Sequence, residues 1–371
     1  MPDAVYLDHN ATTPVKPAVA AAMTRLLAET GNPSSPHRFG RAARRIVETA
    51  RAQIAALAGA GPDGVIFTAS GSEANNLALR GFPGRRLLVS AIEHDSVLRA
   101  ASDAAILPVT EAGLVDLAAA EALLAADPRP ALLSVMLANN ETGAIQPIAA
   151  LAALAHRHGA LLHSDAVQAP GRIAIDMRAL GVDLLTLSAH KMGGAAGAAC
   201  LVLAPGLDIA PLIRGGGQER GRRAGTENVP AIGGFGLAAE LAAEDLASAD
   251  RLAALRDQLE TELGRRQPAL RIFGAGAPRL PNTSCFGLPG LKAETQLMAL
   301  DLQLIAVSAG SACSSGKAKP SHVLAAMGAG PELAATAIRV SLGRGNGPGD
   351  IERLVTAWSD LAQRSRLGVA A

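Results

Sequence analysis

The chain has 371 residues, about half of them apolar, and a formal net charge of +1 at neutral pH. This length suits two domains, and the small net charge disfavours DNA or an anionic membrane as a partner, so small molecules are the expected substrates. Three cysteines without a CxxC pair favour a reducing, cytoplasmic setting over a disulfide scaffold or a metal site. The N-terminus shows no secretory pattern, and glycines and Pro205 interrupt the longest uncharged stretch.

The first forty residues predict a short strand at 5–8, a turn, and a helix near 17–28. Residues 31–40 are rich in Gly and Pro and predict a polar loop, which is a usual place for binding residues. An amphipathic helix is predicted for 41–57.

The next segment passes from a strand at 65–68 through small residues into a helix. Backbone N–H groups and Ser hydroxyls at a helix N-terminus form a site for an anion such as phosphate. An ordinary serine N-cap explains the same residues equally well.

Polar side chains follow each of four successive predicted strands. They are Ser70 with Ser72, His94, Asn140, and Asp165 with Gln168. Alternating strands and helices predict a largely parallel sheet, and such sheets bind ligands at the carboxyl ends of their strands. The repetition of polar clusters therefore predicts one site at this edge, although each residue alone could be structural.

Lys191 follows the apolar run 184–188 and precedes two glycines. A lysine at the end of a core strand is costly to bury as an ion, and the chain holds only five lysines against twenty-nine arginines. We therefore expect an amine nucleophile suited to a Schiff base. The alternative is a lysine that extends to solvent along the strand end.

The remainder of the chain contains a Gly- and Arg-rich loop at 214–228 that could bind phosphate or carboxylate groups, or simply be solvated. A helical region follows at 236–266, with a boundary near 248–250. Cys200 and Cys285 lie in apolar strand contexts typical of inert thiols. Cys313 lies among Ser, Gly and Ala with lysines nearby, which favours a reactive thiolate.

Together these segments resemble the cysteine desulfurases of the NifS/IscS type, within the class V aminotransferases that use pyridoxal phosphate. The resemblance rests on nine motifs in family order: 6–14, 31–35 with 37–40, 93–94, 139–143, 165–168, 188–191, 223–226, 311–313 and 339–343. It implies an α/β protein of fold type I, with a mostly parallel seven-stranded type of sheet between helices in a large domain (15–250). A smaller α+β domain would be built from both chain ends (1–14 and 251–371) and carry the cysteine loop at about 308–320. A homodimer is also implied.

The resemblance also implies a role for each matching residue. Lys191 would bind pyridoxal 5'-phosphate covalently, Asp165 would pair with the ring nitrogen, and His94 would stack on the ring and handle a proton. Gln168 and Asn140 would hold the ring. The phosphate would be bound by Gly71, Ser72, Ser188 and His190, with Thr226 from the other subunit, and the substrate carboxylate by Arg339 and Asn32.

The implied reaction removes sulfur from L-cysteine, giving L-alanine and a persulfide on Cys313. The sulfur would pass to an acceptor protein, such as a scaffold for iron–sulfur cluster assembly, or to thiolation. The alternatives are a selenocysteine lyase or another class V aminotransferase or lyase, and, in a different class, an assembly protein without a cofactor. No metal site is expected.

Overall fold

A computed structural model of the chain describes residues 4–310 and 321–369. Its strands are β1 (Val5–Tyr6), β2 (Val65–Thr68), β3 (Arg86–Ser90), β4 (Ala105–Leu107), β5 (Ala131–Ser134), β6 (Leu161–Asp165), β7 (Leu184–Ser188), β8 (Ala199–Leu203), β9 (Arg271–Phe273), β10 (Thr283–Gly287), β11 (Ile305–Ala306), β12 (Ser308–Ala309) and β13 (Ile338–Ser341).

Helices cover most of the intervening sequence. They are α1 (Pro17–Leu27), α2 (Arg38–Ala58), α3 (Gly71–Arg80), α4 (Asp95–Leu98), α5 (Leu117–Ala125), α6 (Ile148–Arg157), α7 (Met177–Leu180), α8 (Val229–Asp245), α9 (Ala249–Arg266), α10 (Ala293–Asp301), α11 (His322–Ala326), α12 (Pro331–Ala334) and α13 (Pro348–Val369).

The large sheet has seven strands in the order β2-β8-β7-β6-β5-β3-β4. Strands β4, β3, β5, β6 and β7 pair in parallel, and β8 alone runs antiparallel to both of its neighbours. The mostly parallel seven-stranded sheet inferred from the sequence is therefore confirmed. Because its parallel strands share one direction, their carboxyl ends lie along one edge, where the polar clusters were expected.

Alternating side chains of this sheet enter two apolar cores. On β2, Val65 and Phe67 pack in one core and Ile66 in the other. Strand β7 repeats the pattern, with Leu185 and Leu187 on one face and Leu184 on the opposite face. Burial on both faces explains why these strands read as continuous apolar runs rather than as an alternating pattern.

A separate core joins the two ends of the described chain. Val5 and Leu7 pack with buried residues between Leu252 and Ala362, including Trp358. Strand β1 pairs in parallel with β11, and β12, β13, β10 and β9 form a four-stranded sheet. The N-terminal residues thus belong to the core of the C-terminal region, whereas the domain boundaries given above stay a prediction.

Several predicted bounds were wrong: β1 ends at Tyr6 rather than at residue 8, the helical region predicted from 236 begins at Val229, and the start of α2 was misplaced. Helix α2 begins at Arg38, three residues before the predicted start at 41, because His37 caps it: the His37 ring accepts a hydrogen bond from the Gly40 backbone N–H at 3.2 Å. The predicted break near 248–250 is confirmed, since a short 3-10 turn at Leu246–Ser248 separates α8 from α9.

Candidate active site

Ten of the predicted site residues line one cavity of about 330 Å³ at the carboxyl edge of the large sheet. They are Gly71, Ser72, His94, Asn140, Asp165, Gln168, Ser188, His190, Lys191 and Arg339. Strand β7 brings Ser188 to this edge, and a short 3-10 turn at Ala189–Lys191 then places the lysine at the cavity. The predicted convergence of polar groups is therefore present in the fold.

Carbonyl groups of the N-terminal segment hold the Lys191 amine. Its Nζ donates to the carbonyl of Ala11 at 2.7 Å and to that of Asn10 at 2.5 Å. The same Asn10 carbonyl accepts from Gln168 Nε2 at 3.0 Å. The carbonyls of Asn10 and Ala11 thus orient the Lys191 amine. The side chain does not extend to bulk solvent as the alternative interpretation required.

Asp165 ends β6 and is buried. Its Oδ2 accepts from Asn75 Nδ2 at 2.7 Å, and its Oδ1 accepts from the Val167 backbone N–H at 3.1 Å. Asn75 was not predicted as a site residue from the sequence. Its spacing from Gly71 offered a signal, because residues four apart on a helix lie on the same face and Gly71 was already placed at the site.

Asn75 also connects Asp165 to the histidine. It donates to Ser96 Oγ at 2.9 Å, and Ser96 Oγ lies 2.8 Å from His94 Nδ1. The Ser96 backbone N–H donates to the same Nδ1 at 3.1 Å. Because Nδ1 accepts a hydrogen bond from a backbone N–H, the neutral form of the His94 ring is the one with its proton on Nε2. Ser96 is a second site residue that sequence reasoning missed.

The N-terminus of α3 forms one end of the cavity. Ser70 caps the helix, its Oγ accepting from the Glu73 backbone N–H at 3.2 Å, and Gly71 and Ser72 form the first turn. His190 lies nearby, and burial, followed by the Lys191 charge, lowers the His190 pKa to about 4. A helix N-terminus beside a neutral imidazole and Ser188 has the donors that a phosphate group needs.

Arg339 on β13 is held by two partners. It donates to the Asn140 carbonyl at 3.0 Å and forms an ion pair with Asp8 at 2.7 Å. Its Nε is buried and has no hydrogen-bond partner among the described residues. A guanidinium oriented in this way suits bidentate binding of a carboxylate.

Two predicted residues that the structure describes are not among those lining the cavity. Asn32 is exposed and its Oδ1 accepts from the Ser34 backbone N–H, while Thr226 is exposed within the 214–228 loop. That loop is attached to α3, because Arg223 forms an ion pair with Glu73 at 2.8 Å. Most of the loop is exposed, but its Glu219 is buried and pairs with Arg51 at 2.8 Å. Cys313 lies outside the described residues.

The two cysteines that the structure describes are buried, and burial raises the pKa of both thiols far above its ordinary value. Within residues 4–310 and 321–369, no helix is both long and apolar enough to cross a lipid bilayer. The same residues contain no group of three or more His, Cys, Asp or Glu side chains arranged to hold a metal ion.

The sequence model of the family described as "Aminotransferase class-V" matches residues 5–354. The chain belongs to the class-V aminotransferases. A cysteine desulfurase from Cereibacter sphaeroides is 44% identical over 98% of this chain and 96% of its own length. An X-ray structure of a NifS-like protein from Rickettsia africae ESF-5 is 40% identical, covers 97% of this chain and 99% of that one, and superimposes with a TM-score of 0.91. A structure of SspA in complex with cysteine is 30% identical over 91% of this chain and 98% of that one, with a TM-score of 0.78.

Class-V aminotransferases use pyridoxal 5'-phosphate, and the donor set of this chain fits that cofactor. A lysine amine is held at one wall, a buried carboxylate with two fixed donors at another, and a helix N-terminus at the end of the cavity. These groups match the aldehyde, the ring nitrogen and the phosphate of the cofactor in chemical type.

Proposed function

We propose that this class-V enzyme is a cysteine desulfurase that converts L-cysteine to L-alanine and transfers the sulfur to Cys313. The observation that carries the proposal is the joint placement of Lys191, Asp165 and Arg339 around one cavity. An amine, a carboxylate and a carboxylate-binding guanidinium are the groups that an amino-acid substrate and pyridoxal phosphate require. The relatives named above support cysteine as that amino acid.

When bound, the cofactor supplies an aldehyde that forms a Schiff base with an amine, and an electron-withdrawing ring that acidifies the adjacent C–H bond. Lys191 would bind it and, once displaced by the substrate amine, would accept the α-proton at Nζ. Asp165, oriented by Asn75, would keep the ring nitrogen protonated. Arg339 would bind the substrate carboxylate, and His94 would exchange a proton through Nε2. Gln168 and Asn140 would hold the ring.

The sulfur step is a transfer between two thiols. The Cys313 sulfur, as a thiolate, attacks the substrate sulfur, the Cβ–S bond breaks, and Cβ takes up a proton to give alanine. L-Cysteine and one enzyme thiol thus become L-alanine and one enzyme persulfide, so atoms and electrons balance. A thiol reductant or an acceptor then removes the outer sulfur and restores the Cys313 thiol.

We extend the proposal to a cytoplasmic homodimer that passes sulfur to an acceptor protein, such as a scaffold for iron–sulfur clusters. The exposure of Thr226 supports the dimer, since this hydroxyl does not line the cavity of its own chain and is free to contact a second copy. The ion pair between Arg223 and Glu73 fixes the 214–228 loop close to the phosphate end of its own cavity. Asn32, also exposed, keeps its predicted role as a second ligand of the substrate carboxylate.

The experiment is anaerobic turnover of L-cysteine with a thiol reductant, in which alanine and sulfide are quantified for the wild type and for Cys313→Ala. We expect equal amounts of both products from the wild type, and neither from a Cys313→Ala variant that keeps its cofactor. Wild-type rates in the variant would favour another lyase or an aminotransferase. A parallel assay with L-selenocysteine tests the selenocysteine lyase alternative, which requires that substrate to be preferred.

A further inference from the structure

Glu141 has a buried carboxyl group that the proposed chemistry does not use. It lies in the turn 139–143 that follows β5, and only 3% of the residue is exposed. We call residues 139–143 the Glu141 turn. The side chain of Asn139 fixes its shape, because Oδ1 accepts from the backbone N–H groups of Glu141 at 2.9 Å and Thr142 at 3.0 Å.

The Glu141 carboxylate contacts described residues on both sides of the 311–320 stretch, which contains Cys313. Ser321 Oγ donates to Glu141 Oε2 at 2.6 Å. On the other side, Gly310 lies so close to Oε2 that a Cβ at position 310 would overlap that oxygen. One carboxylate therefore contacts the last residue before this stretch and the first residue after it.

The same turn also contacts the proposed substrate-binding group. The carbonyl of Asn140 accepts from Arg339 at 3.0 Å, and Gly310 lines the cavity together with Arg339. A further contact holds the residue after Ser321, since the His322 ring donates to the Glu93 carbonyl at 2.9 Å, immediately before His94 in the chain. The backbone on both sides of the stretch is thus tied to residues at the cavity wall.

The environment of Glu141 supports a role beyond packing. Burial raises its pKa to about 7, while the Ser321 hydroxyl and the charges of Arg339 and His94 oppose the rise. Cys285 on β10 is a further ionisable neighbour, whose pKa is raised mainly by burial and further by the Glu141 carboxylate. A buried carboxyl of this kind is costly for the fold, and such groups are concentrated at functional sites.

We propose that Glu141 is a positioning residue for sulfur abstraction, acting by fixing Gly310 and Ser321, the two described residues that flank the 311–320 stretch containing Cys313. This inference rests on the proposed desulfurase function. It assigns Glu141 no contact with the substrate. The expected consequence is that cofactor and cysteine binding depend little on Glu141, whereas the sulfur step depends on it strongly.

The test uses the full-length holoenzyme and the variants Glu141→Ala, Ser321→Ala and the double variant. Cofactor affinity is measured by absorbance titration, cysteine affinity from the spectral change on binding, and the sulfur step from alanine released in a single turnover. For Glu141→Ala we expect both affinities to stay within about twofold of the wild type, and the alanine rate to fall by about tenfold or more. The double variant should be no slower than the slower single variant, because the two changes remove one interaction.

Two further variants separate positioning from general destabilisation. Ser321→Thr keeps the hydroxyl that donates to Glu141 and caps α11, and it should restore most of the rate lost in Ser321→Ala. Glu121→Gln is the control, because it removes a carboxylate on α5 whose side chain is more than half exposed. It should leave cofactor affinity, cysteine affinity and the alanine rate unchanged.

The outcomes are distinguishable. A wild-type alanine rate in Glu141→Ala, or strict additivity in the double variant, overturns the positioning role and leaves the desulfurase function standing. Loss of cofactor binding in Glu141→Ala also overturns it, because the residue would then be structural. If the wild type itself releases no alanine from cysteine, the proposed function fails before Glu141 is tested.

Discussion

Two corners of the cavity are built in different ways. At the first, Asp165, Asn75, Ser96 and His94 form a chain of hydrogen bonds within one part of the sequence. At the second, Arg339 pairs with Asp8, and Glu141 pairs with Ser321, across 331 and 180 positions. The first corner is fixed by the large sheet and α3, and the second exists only once both chain ends have folded against that sheet. We therefore expect changes at the first corner to alter cofactor binding, and changes at the second to alter substrate handling.

The largest effect is expected at Lys191, which lines the cavity and belongs to neither corner. Lys191→Ala removes the amine that we propose forms the Schiff base, so cysteine turnover should fall by about a thousandfold or more. Lys191→Arg keeps the positive charge but has no primary amine, and it should be equally impaired. Turnover and borohydride trapping of the cofactor on the chain check both variants. A Lys191→Arg variant with substantial activity would contradict the assignment.

The second prediction concerns the pH dependence of stability at the second corner, which contains Glu141. The pKa of Glu141 is about 7 in the folded protein, against an ordinary value of 4.5, so the native state binds this proton more tightly than the unfolded chain. The stability associated with the group is complete below about pH 4.5, declines as pH rises, and is lost above about pH 7. The accumulated cost in the free energy of unfolding is about 3 kcal/mol at most.

Glu141→Gln removes that titration. The melting temperature of the variant minus that of the wild type should therefore increase as the pH is raised from 4.5 to 8. Scanning calorimetry of both holoenzymes at these two pH values measures the change. The ionisable groups that do not interact with Glu141 are common to the two proteins and cancel in the comparison. A difference in melting temperature that is the same at both pH values would contradict the prediction.

A third prediction tests the first corner. Asn75→Ala leaves Asp165 Oδ2 without its side-chain donor, which should cost about 1–3 kcal/mol, or about five- to a hundredfold in cofactor affinity. Ser96→Ala removes the hydroxyl between Asn75 and His94 but leaves the Asn75–Asp165 hydrogen bond, and it should weaken cofactor binding less. Absorbance titration of the apoenzyme compares the two variants. Equal losses of cofactor affinity in the two variants would contradict the prediction, because the Asn75–Asp165 hydrogen bond would then add nothing to cofactor binding.

The smallest effect is expected at the second corner. Asp8→Asn keeps an oxygen near Arg339 but removes the charge, so the guanidinium should be less well oriented for the substrate carboxylate. The KM for cysteine should rise by about tenfold with a smaller change in kcat, since a hydrogen bond between charged groups contributes about 1.5–3 kcal/mol. Asp95→Asn, in an exposed pair with Arg99, is the matched control and should change neither constant.

The same contrast explains how much the sequence could predict. Polar residues that follow apolar runs, such as Asp165 and Lys191, were predictable because parallel strands bring their carboxyl ends to one edge. The contacts of Arg339 and Glu141 were not predictable, since their partners are set by how the chain ends pack. Glu141 was visible as part of a motif, but nothing local indicated that its carboxylate would contact Gly310 and Ser321.

Asn75 is an intermediate case. It stands beside Asn76 in a helix whose polar residues read as an ordinary surface face, and only its spacing from Gly71 pointed toward the cavity. The start of α2 was misplaced for a related reason, because a histidine ring replaced the usual Ser, Thr, Asp or Asn cap.

The burial of Cys200 and Cys285 has a practical consequence. Both thiols are inaccessible and held protonated by their surroundings, so an alkylating reagent added to the folded enzyme should spare them. Since the chain has three cysteines, the mass of the labelled intact protein then records the state of the third alone. A single spectrum could therefore distinguish a free from a sulfur-loaded Cys313 without mutating any residue.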